Sequence, residues 1–484
     1  MPETNFKKEI RLFDAVMLVA GTMIGSGIFI VSADIARQTG SAGYLLLVWL
    51  LTGLITMMGA LSYGELAAMM PKAGGQYVFL REAYNPLLAF LYGWTLFMVI
   101  QTGTIAAVAV AFARFTGVLF PFFDEKNILL QFGAFKISTT QLLAIGCISL
   151  LTFINIKGVR YAKFIQNFFG STKIIALFAL ILLGLAIGIN VEVVKLNWEN
   201  FWQAKQVVLN PDGTVQAIQT IGGMALISAI GVAMVGSLFS SDAWNNITFA
   251  GDEVVNPQKT IPLSLAIGTG LVTLLYLLTN VVYLLVLPLR GLQNGTTVLE
   301  RGIQFATNDR VAVAVAEALG GEWALLAITV LIMVSTFGSD NGCILSGARV
   351  YYAIAKDGLF FKNMAKLNSQ GVPANALIGQ AIWASLLCLS GTYGNLLDYV
   401  VFAVLLFYIL TIAGIFVLRK TQPHTPRPYK AFGYPFVPLL YIILCSAIEI
   451  ILLIYKPEYT WAGLLIVGLG IPIYFVFKPQ SKSN

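Results

Sequence analysis

The chain has 484 residues, 58% of them apolar and 11% charged, with a formal net charge of +7. Water-soluble globular chains carry about a quarter charged residues, so a soluble domain is excluded, as are disorder and repeat solenoids. The long continuous apolar runs also exclude a membrane barrel of roughly 10-residue alternating strands.

A spanning helix takes roughly 20 mostly apolar residues. Reading apolar runs between polar breaks predicts twelve spans, at 14–37, 41–70, 87–118, 139–156, 165–189, 220–250, 263–288, 322–353, 374–391, 397–418, 437–455 and 460–477. The first run is too long for the apolar region of a cleavable signal, so it is expected to persist and no targeting segment to be removed. With the N-terminus inside, the cytoplasmic connections carry Lys and Arg over the outer ones by about two to one, which predicts both ends in the cytoplasm and a cell-membrane location. The positive charge is scattered among these loops rather than gathered in a patch, so the lipid bilayer is the expected partner and nucleic acid is not. Cys147, Cys343, Cys388 and Cys445 all fall in apolar runs and read as small hydrophobes. The segment from Pro71 to Pro86 mixes aromatics with Lys72, Arg81 and Glu82, as an interfacial segment would. In the long outer connection 289–321, the alternation from Val311 to Leu319 suggests a short surface helix.

Two spans carry polar interruptions. In the first, GTMIGSGIF (Gly21 to Phe29) clusters three glycines, which serve either close helix packing or a local break. In the sixth, GSLFSSDAWNN (Gly236 to Asn246) puts three serines and Asp242 at membrane depth, where polar side chains compete for backbone hydrogen bonds. An aspartate at the bilayer centre costs about 2.5–3.5 kcal/mol on insertion scales, so Asp242 should face a cavity or a partner, or cap the second half-helix. The interruptions are five spans apart, and five is odd, so two five-helix halves would have opposite orientation, an arrangement that points to a transporter's central site. Residues 14–189 and 220–418 would be the halves, 437–477 two additional spans, and 1–13 and 478–484 cytoplasmic tails. An opened helix exposes amides at one half's N-terminal end and carbonyls at the other's C-terminal end, a polarity that matches both ends of an α-amino acid.

These residues, with SYGELAAMMPKAGGQYVFLREAY (Ser62 to Tyr84), AGDEVVNPQKTIP (Ala250 to Pro262), GARVYYAIAKDGLF (Gly347 to Phe360) and RPYKAFGYP (Arg427 to Pro435), give the chain its likeness to known sequences. It resembles the amino acid–polyamine–organocation (APC) superfamily, and within it the L-type amino acid transporter branch. The resemblance implies an all-α polytopic membrane protein: twelve transmembrane helices, a LeuT-like 5+5 inverted repeat, and discontinuous first and sixth helices. It further implies that amides around Ser26 and Gly27 hold a substrate carboxylate, that carbonyls of Met23, Phe239 and Asp242 hold the amino group, and that Phe239 is an aromatic gate. Many L-type members have an aromatic and glycines after that gate, whereas this chain has Ser240, Ser241, Asp242 and Ala243. A free Asp242 would favour cationic or polar substrates, polyamines included. Paired with a protein cation, it would leave a pocket for small or medium neutral amino acids, the reading favoured here.

Lys173 lies in the fifth span near its cytoplasmic end, where it could snorkel to the interface. Family members bear a lysine here, where sodium-coupled relatives of the fold bind an ion. A fixed ammonium implies a sodium-independent exchanger or facilitator, and one that releases its proton implies a proton symporter. Glu65 and Tyr63 read as packing residues, while Gln101, Thr102, Thr104, Ser335, Ser339, Asp340 and Asn341 could line the pathway. Glu253 and Arg349 could form an inner gate ion pair or a solvated one. A channel would also tolerate broken backbone. An enzyme is disfavoured, because the single histidine, His424, has no metal-spaced cluster beside it and no phosphate-cradling loop is present. No cofactor or metal is expected. The loop from Leu119 to Ser138 has no cysteine of the kind that joins some L-type members to an accessory glycoprotein, so no covalent heavy-chain partner is expected.

Overall fold

The computed structural model describes residues 8–124, 126–132, 135–210, 213–390 and 393–477. Of the two predicted tails, residues 1–7 and 478–484 lie outside the described residues. Eleven helices are long and apolar enough to cross a bilayer, and the shorter apolar helix Ala374–Leu389 makes the twelfth, so the chain is an all-helical polytopic membrane protein.

The first span is discontinuous: Leu12–Met23 ends, three residues intervene, and the helix resumes over Gly27–Ile30 and Ser32–Thr39. The sixth does the same, running Gly223–Ser240 and restarting at Asn246–Phe249. The spans around them are Ala42–Met69 (second), Pro86–Leu119 (third), Thr139–Ile156 (fourth), Val159–Ile187 (fifth) and Pro257–Val286 (seventh), with the eighth forming the part of Val311–Lys356 that follows a kink at Gly320 and Gly321. Ala374–Ser390, Tyr393–Thr421, Phe436–Tyr455 and Pro457–Phe477 complete the twelve. The first and third spans form the centre, with 83% of their apolar windows buried, against 22% for the twelfth. Outward residues such as Ile175, Phe178 and Leu182 of the fifth span are exposed apolar side chains, as a lipid-facing surface requires.

Several local expectations are refined or corrected. Pro71 to Pro86 folds into a short helix, Gln76–Ala83, whose Tyr77, Val78, Phe79 and Leu80 are buried against neighbouring spans, while Lys72 and Glu82 are exposed. Residues 311–319 do form a helical stretch, set off from the eighth span by non-helical Gly320 and Gly321, but Val311 to Ala316 are buried rather than on the surface. The connections after the third and fifth spans contain two antiparallel hairpins, Ile128–Phe132 with Phe135–Ser138 and Lys205–Leu209 with Val215–Thr220. The third span carries a one-turn π-helix, Leu96–Ile100.

Candidate functional site

The break in the first span is built from close approach. A Cβ on Gly27 would lie 1.9 Å from Ser240 Oγ and 2.9 Å from Ser240 Cα, so this position touches the end of the sixth span's first half with no room for a side chain. Among the described residues, no backbone carbonyl accepts from the amides of Gly27 or Ile28, while Phe29 and Val31 donate back to Ser26 and Gly27. Ser26 and Gly27 are both buried, so these amides face the protein interior.

Two carbonyls at the broken end, of Gly21 and Ile24, are held by side chains from other spans. Lys173 Nζ donates to Gly21 O at 2.5 Å, Ile24 O at 2.9 Å and Ser339 Oγ at 2.7 Å. Its three protons thus meet three acceptors, and the residue is fully buried, so this ammonium does not snorkel. Ser335 Oγ also donates to Ile24 O, at 3.1 Å. The lysine therefore ties the fifth, first and eighth spans at one point.

The seventh span supplies a polar stripe that sequence reasoning missed. Tyr276, Asn280 and Tyr283 stand on one helical face. The Tyr276 hydroxyl lies 3.0 Å from both Met23 O and Ser240 O, Tyr283 OH donates to Ile28 O at 3.2 Å, and Asn280 Oδ1 accepts from Ser32 Oγ at 2.6 Å. Met23 O also accepts from Gly25 N at 2.8 Å. Both lone pairs of that carbonyl are engaged in this conformation. The only sequence signal for the stripe is its i, i+4, i+7 spacing in an apolar helix.

In the sixth span the chain turns through Ala243, a non-glycine residue at φ 64°. Thr22 Oγ1 reaches across from the first span to Ala243 O at 3.0 Å, and Asp242 N donates to Phe239 O at 3.2 Å. Phe239 is buried beside the break. Asp242 departs from expectation twice. The residue before the second half-helix is Asn245, so Asp242 does not cap it, and no cation partners Asp242 among the described residues; its Oδ1 accepts from Tyr408 OH at 2.6 Å. Tyr408, from the tenth span, is within reach because it packs beside the break with Trp244.

Two small cavities, about 10 Å³ and about 20 Å³, both bordered by Asp242 and Tyr408, flank the break. That is room for about one water each, so the site is closed around itself. Gln101 and Thr104 border the first of them; Thr102 instead hydrogen-bonds to Phe97 O within its own helix, across the π-turn. Ser335 and Ser339 sit at the break, as above. Asn341 pairs with Asn155, and Asp340 is fully buried near Cys147, Cys343 and Cys388 with neither carboxylate oxygen hydrogen-bonded among the described residues.

The N-tail side of the bundle is sewn shut by backbone. Glu9 N and Ile10 N donate to Glu253 O at 2.9 and 3.0 Å, Val255 N to Ile10 O at 2.8 Å, and Gly74 N to Phe249 O at 3.1 Å. Arg349 Nε meets Glu253 Oε1 at 3.0 Å with side-chain exposures of 0% and 2%, so this pair is buried and not a solvated surface contact. Glu65, read from sequence as packing, is an ionic hub: it accepts from Arg419 at 2.9 and 2.6 Å and from Ala431 N at 2.7 Å, with Arg427 3.2 Å away.

A helical membrane bundle whose first and sixth spans unwind beside a closed polar centre belongs to the transporter class of architectures. The amino acid permease family model matches residues 10–477, and the chain belongs to that family. The chain is similar to the large neutral amino acids transporter small subunit 2 of Homo sapiens, 31% identical over 487 residues, covering 99% of this chain and 83% of that protein. It is similar also to the b(0,+)-type amino acid transporter 1 of Mus musculus, 29% identical over 98% of this chain and 88% of the relative. The cystine/glutamate transporter of Homo sapiens is 29% identical over 98% of this chain and 86% of that protein. The chain is thus a multi-pass membrane transporter of the amino acid permease type, and not an enzyme.

Proposed function

We propose that the chain moves small or medium neutral L-amino acids by alternating access without sodium, as an exchanger or with proton coupling. The observation that carries the reading is the Lys173 ammonium bound to Gly21 O, Ile24 O and Ser339 Oγ. A covalently attached cation there does the bracing for which a bound metal ion would otherwise be needed. The amides of Ser26 and Gly27 would receive the substrate carboxylate, and the carbonyls of Met23, Phe239 and Asp242 its ammonium, with Phe239 as the gate. Since Tyr276 occupies the Met23 carbonyl, substrate must displace that hydroxyl or rely on the other two acceptors. Glu253 and Arg349 would be the inner gate. Residues 14–189 and 220–418 would be the two inverted halves, with both termini in the cytoplasm of a cell-membrane protein that works without a disulfide-linked heavy chain.

A second reading, cationic or polar substrates, is favoured by one observation: Asp242 borders both cavities and has a hydroxyl rather than a cation as its partner. Uptake into proteoliposomes against a panel of labelled amino acids, with and without sodium, internal substrate and a pH gradient, tests both readings. Sodium-dependent uptake would overturn the first. Asp242→Asn separates the two: lost uptake of cationic substrates favours the second reading, and unchanged selectivity favours the first.

A further inference from the structure

The largest cavity described for the molecule, about 470 Å³, is not at the break but against the N-tail seal. Its cations come from separate elements: Lys8 from the N-terminal segment, Lys72 and Arg81 from the segment after the second span, and Lys356 from the end of the eighth. Its carboxylates are already engaged. Asp357 pairs with Arg81 and accepts from Tyr77 OH at 2.7 Å, and Asp252 accepts from Ala73 N at 3.1 Å. Among the described residues, Lys8, Lys72 and Lys356 have no ion-pair partner, and all three ammonium-bearing residues are exposed into this concavity.

Four cations, Lys8, Lys72, Arg81 and Lys356, against two carboxylates, Asp252 and Asp357, leave the hollow a net charge of +2, which raises the local concentration of anions. Cations drawn from three elements around one hollow suit a multivalent oxyanion better than a single chloride, since a phosphate offers several acceptor oxygens at once. We propose that this hollow binds a phosphate-type oxyanion, which cross-links the N-terminal segment, the segment following the second span and the eighth span, and so holds the seal closed. The same segments make the seal: Ile10 bridges to Val254 and Ala73 to Ala250. The ligand stabilises the closed arrangement by its preference for it, which slows transport in proportion to that preference. Binding at the hollow stands apart from the transport reading, whereas the slowing rests on it, so the two are measured separately.

Free phosphate and a lipid headgroup share this chemistry. For free phosphate, the full-length chain in neutral detergent is titrated with inorganic phosphate at constant ionic strength, and its thermal unfolding midpoint is followed. A saturable rise is expected. In the Lys8→Gln/Lys72→Gln/Lys356→Gln variant the half-saturating concentration should rise roughly a hundredfold, each lysine contributing about fivefold. For a lipid headgroup, wild type and variant are reconstituted in phosphatidylcholine with and without phosphatidylglycerol; anionic lipid should slow uptake by wild type and spare the variant. Should the triple variant misfold, Lys72→Gln alone is compared, with about a fivefold shift expected. Phosphate and anionic lipid both without effect, or effects identical in wild type and variant, would overturn the proposal. A phosphate effect on stability with uptake unchanged would leave the site and remove its role in closure.

Discussion

The two breaks do the same job by different means. The first span opens through glycines used for proximity: Gly27 is there because Ser240 presses against it, and neither Gly25 nor Gly27 adopts a positive φ. The sixth opens through backbone strain, with Ala243 at φ 64°, a conformation that costs a non-glycine residue about 1–2 kcal/mol. Their bracing differs too. The first break is gripped by an ammonium and by hydroxyls from the seventh and eighth spans, the sixth by hydroxyls alone, from Thr22, Tyr408 and the Tyr276 that it shares with the first. One break is thus clamped by charge and the other held lightly under strain, which makes the sixth the easier of the two to rearrange.

The sharpest way to break this contrast is Lys173→Ala. Removing the ammonium leaves Gly21 O and Ile24 O only the Ser335 and Ser339 hydroxyls as donors and opens a cavity where the side chain lay, together a cost of about 3–5 kcal/mol, and uptake should be lost. Normal uptake and an unchanged unfolding midpoint would mean the first break needs no cation. Next is Gly27→Val. Its side chain cannot fit against Ser240, so the variant should lose about 3 kcal/mol of stability as well as uptake, and Ser240→Gly in the same chain should restore part of the stability. A stable Gly27→Val protein would show that the two half-helices can part freely. Tyr276→Phe removes one hydroxyl from both breaks and should cost about 1–2 kcal/mol, read by thermal unfolding; no shift would make the shared hydroxyl idle. The smallest effect is expected from Ala243→Gly, which relieves the turn and should raise stability by about 1 kcal/mol or less. A loss of stability instead would mean the sixth break is not strained.

Both breaks were legible in the sequence because their chemistry is local: glycines at 21, 25 and 27, and serines with an aspartate at 240–242, have no business in a plain lipid-facing helix. What holds them was only partly legible. Lys173 stood out as a charge in an apolar run. Tyr276 and Tyr283 did not, because a tyrosine in a membrane helix looks the same whether it packs, anchors at an interface or donates to a distant carbonyl. The ion cluster around Glu65 was hidden for the same reason, its arginine partners lying more than 350 positions further along the chain. The π-turn at 96–100 has no compositional mark, and the burial of residues 76–80 follows from neighbours that only the fold supplies. Asp242's hydroxyl partner, in place of the anticipated cation, belongs to this set.

The pairing of Ile10 with Val254 gives the start of the polypeptide a mechanical duty at the mouth of the bundle. Bulky fusions joined just ahead of it would tug on that stitch, so affinity handles belong at the other end of the chain. A small environment-sensitive dye at position 8 would, for the same reason, report whether that stitch parts when amino acid is added.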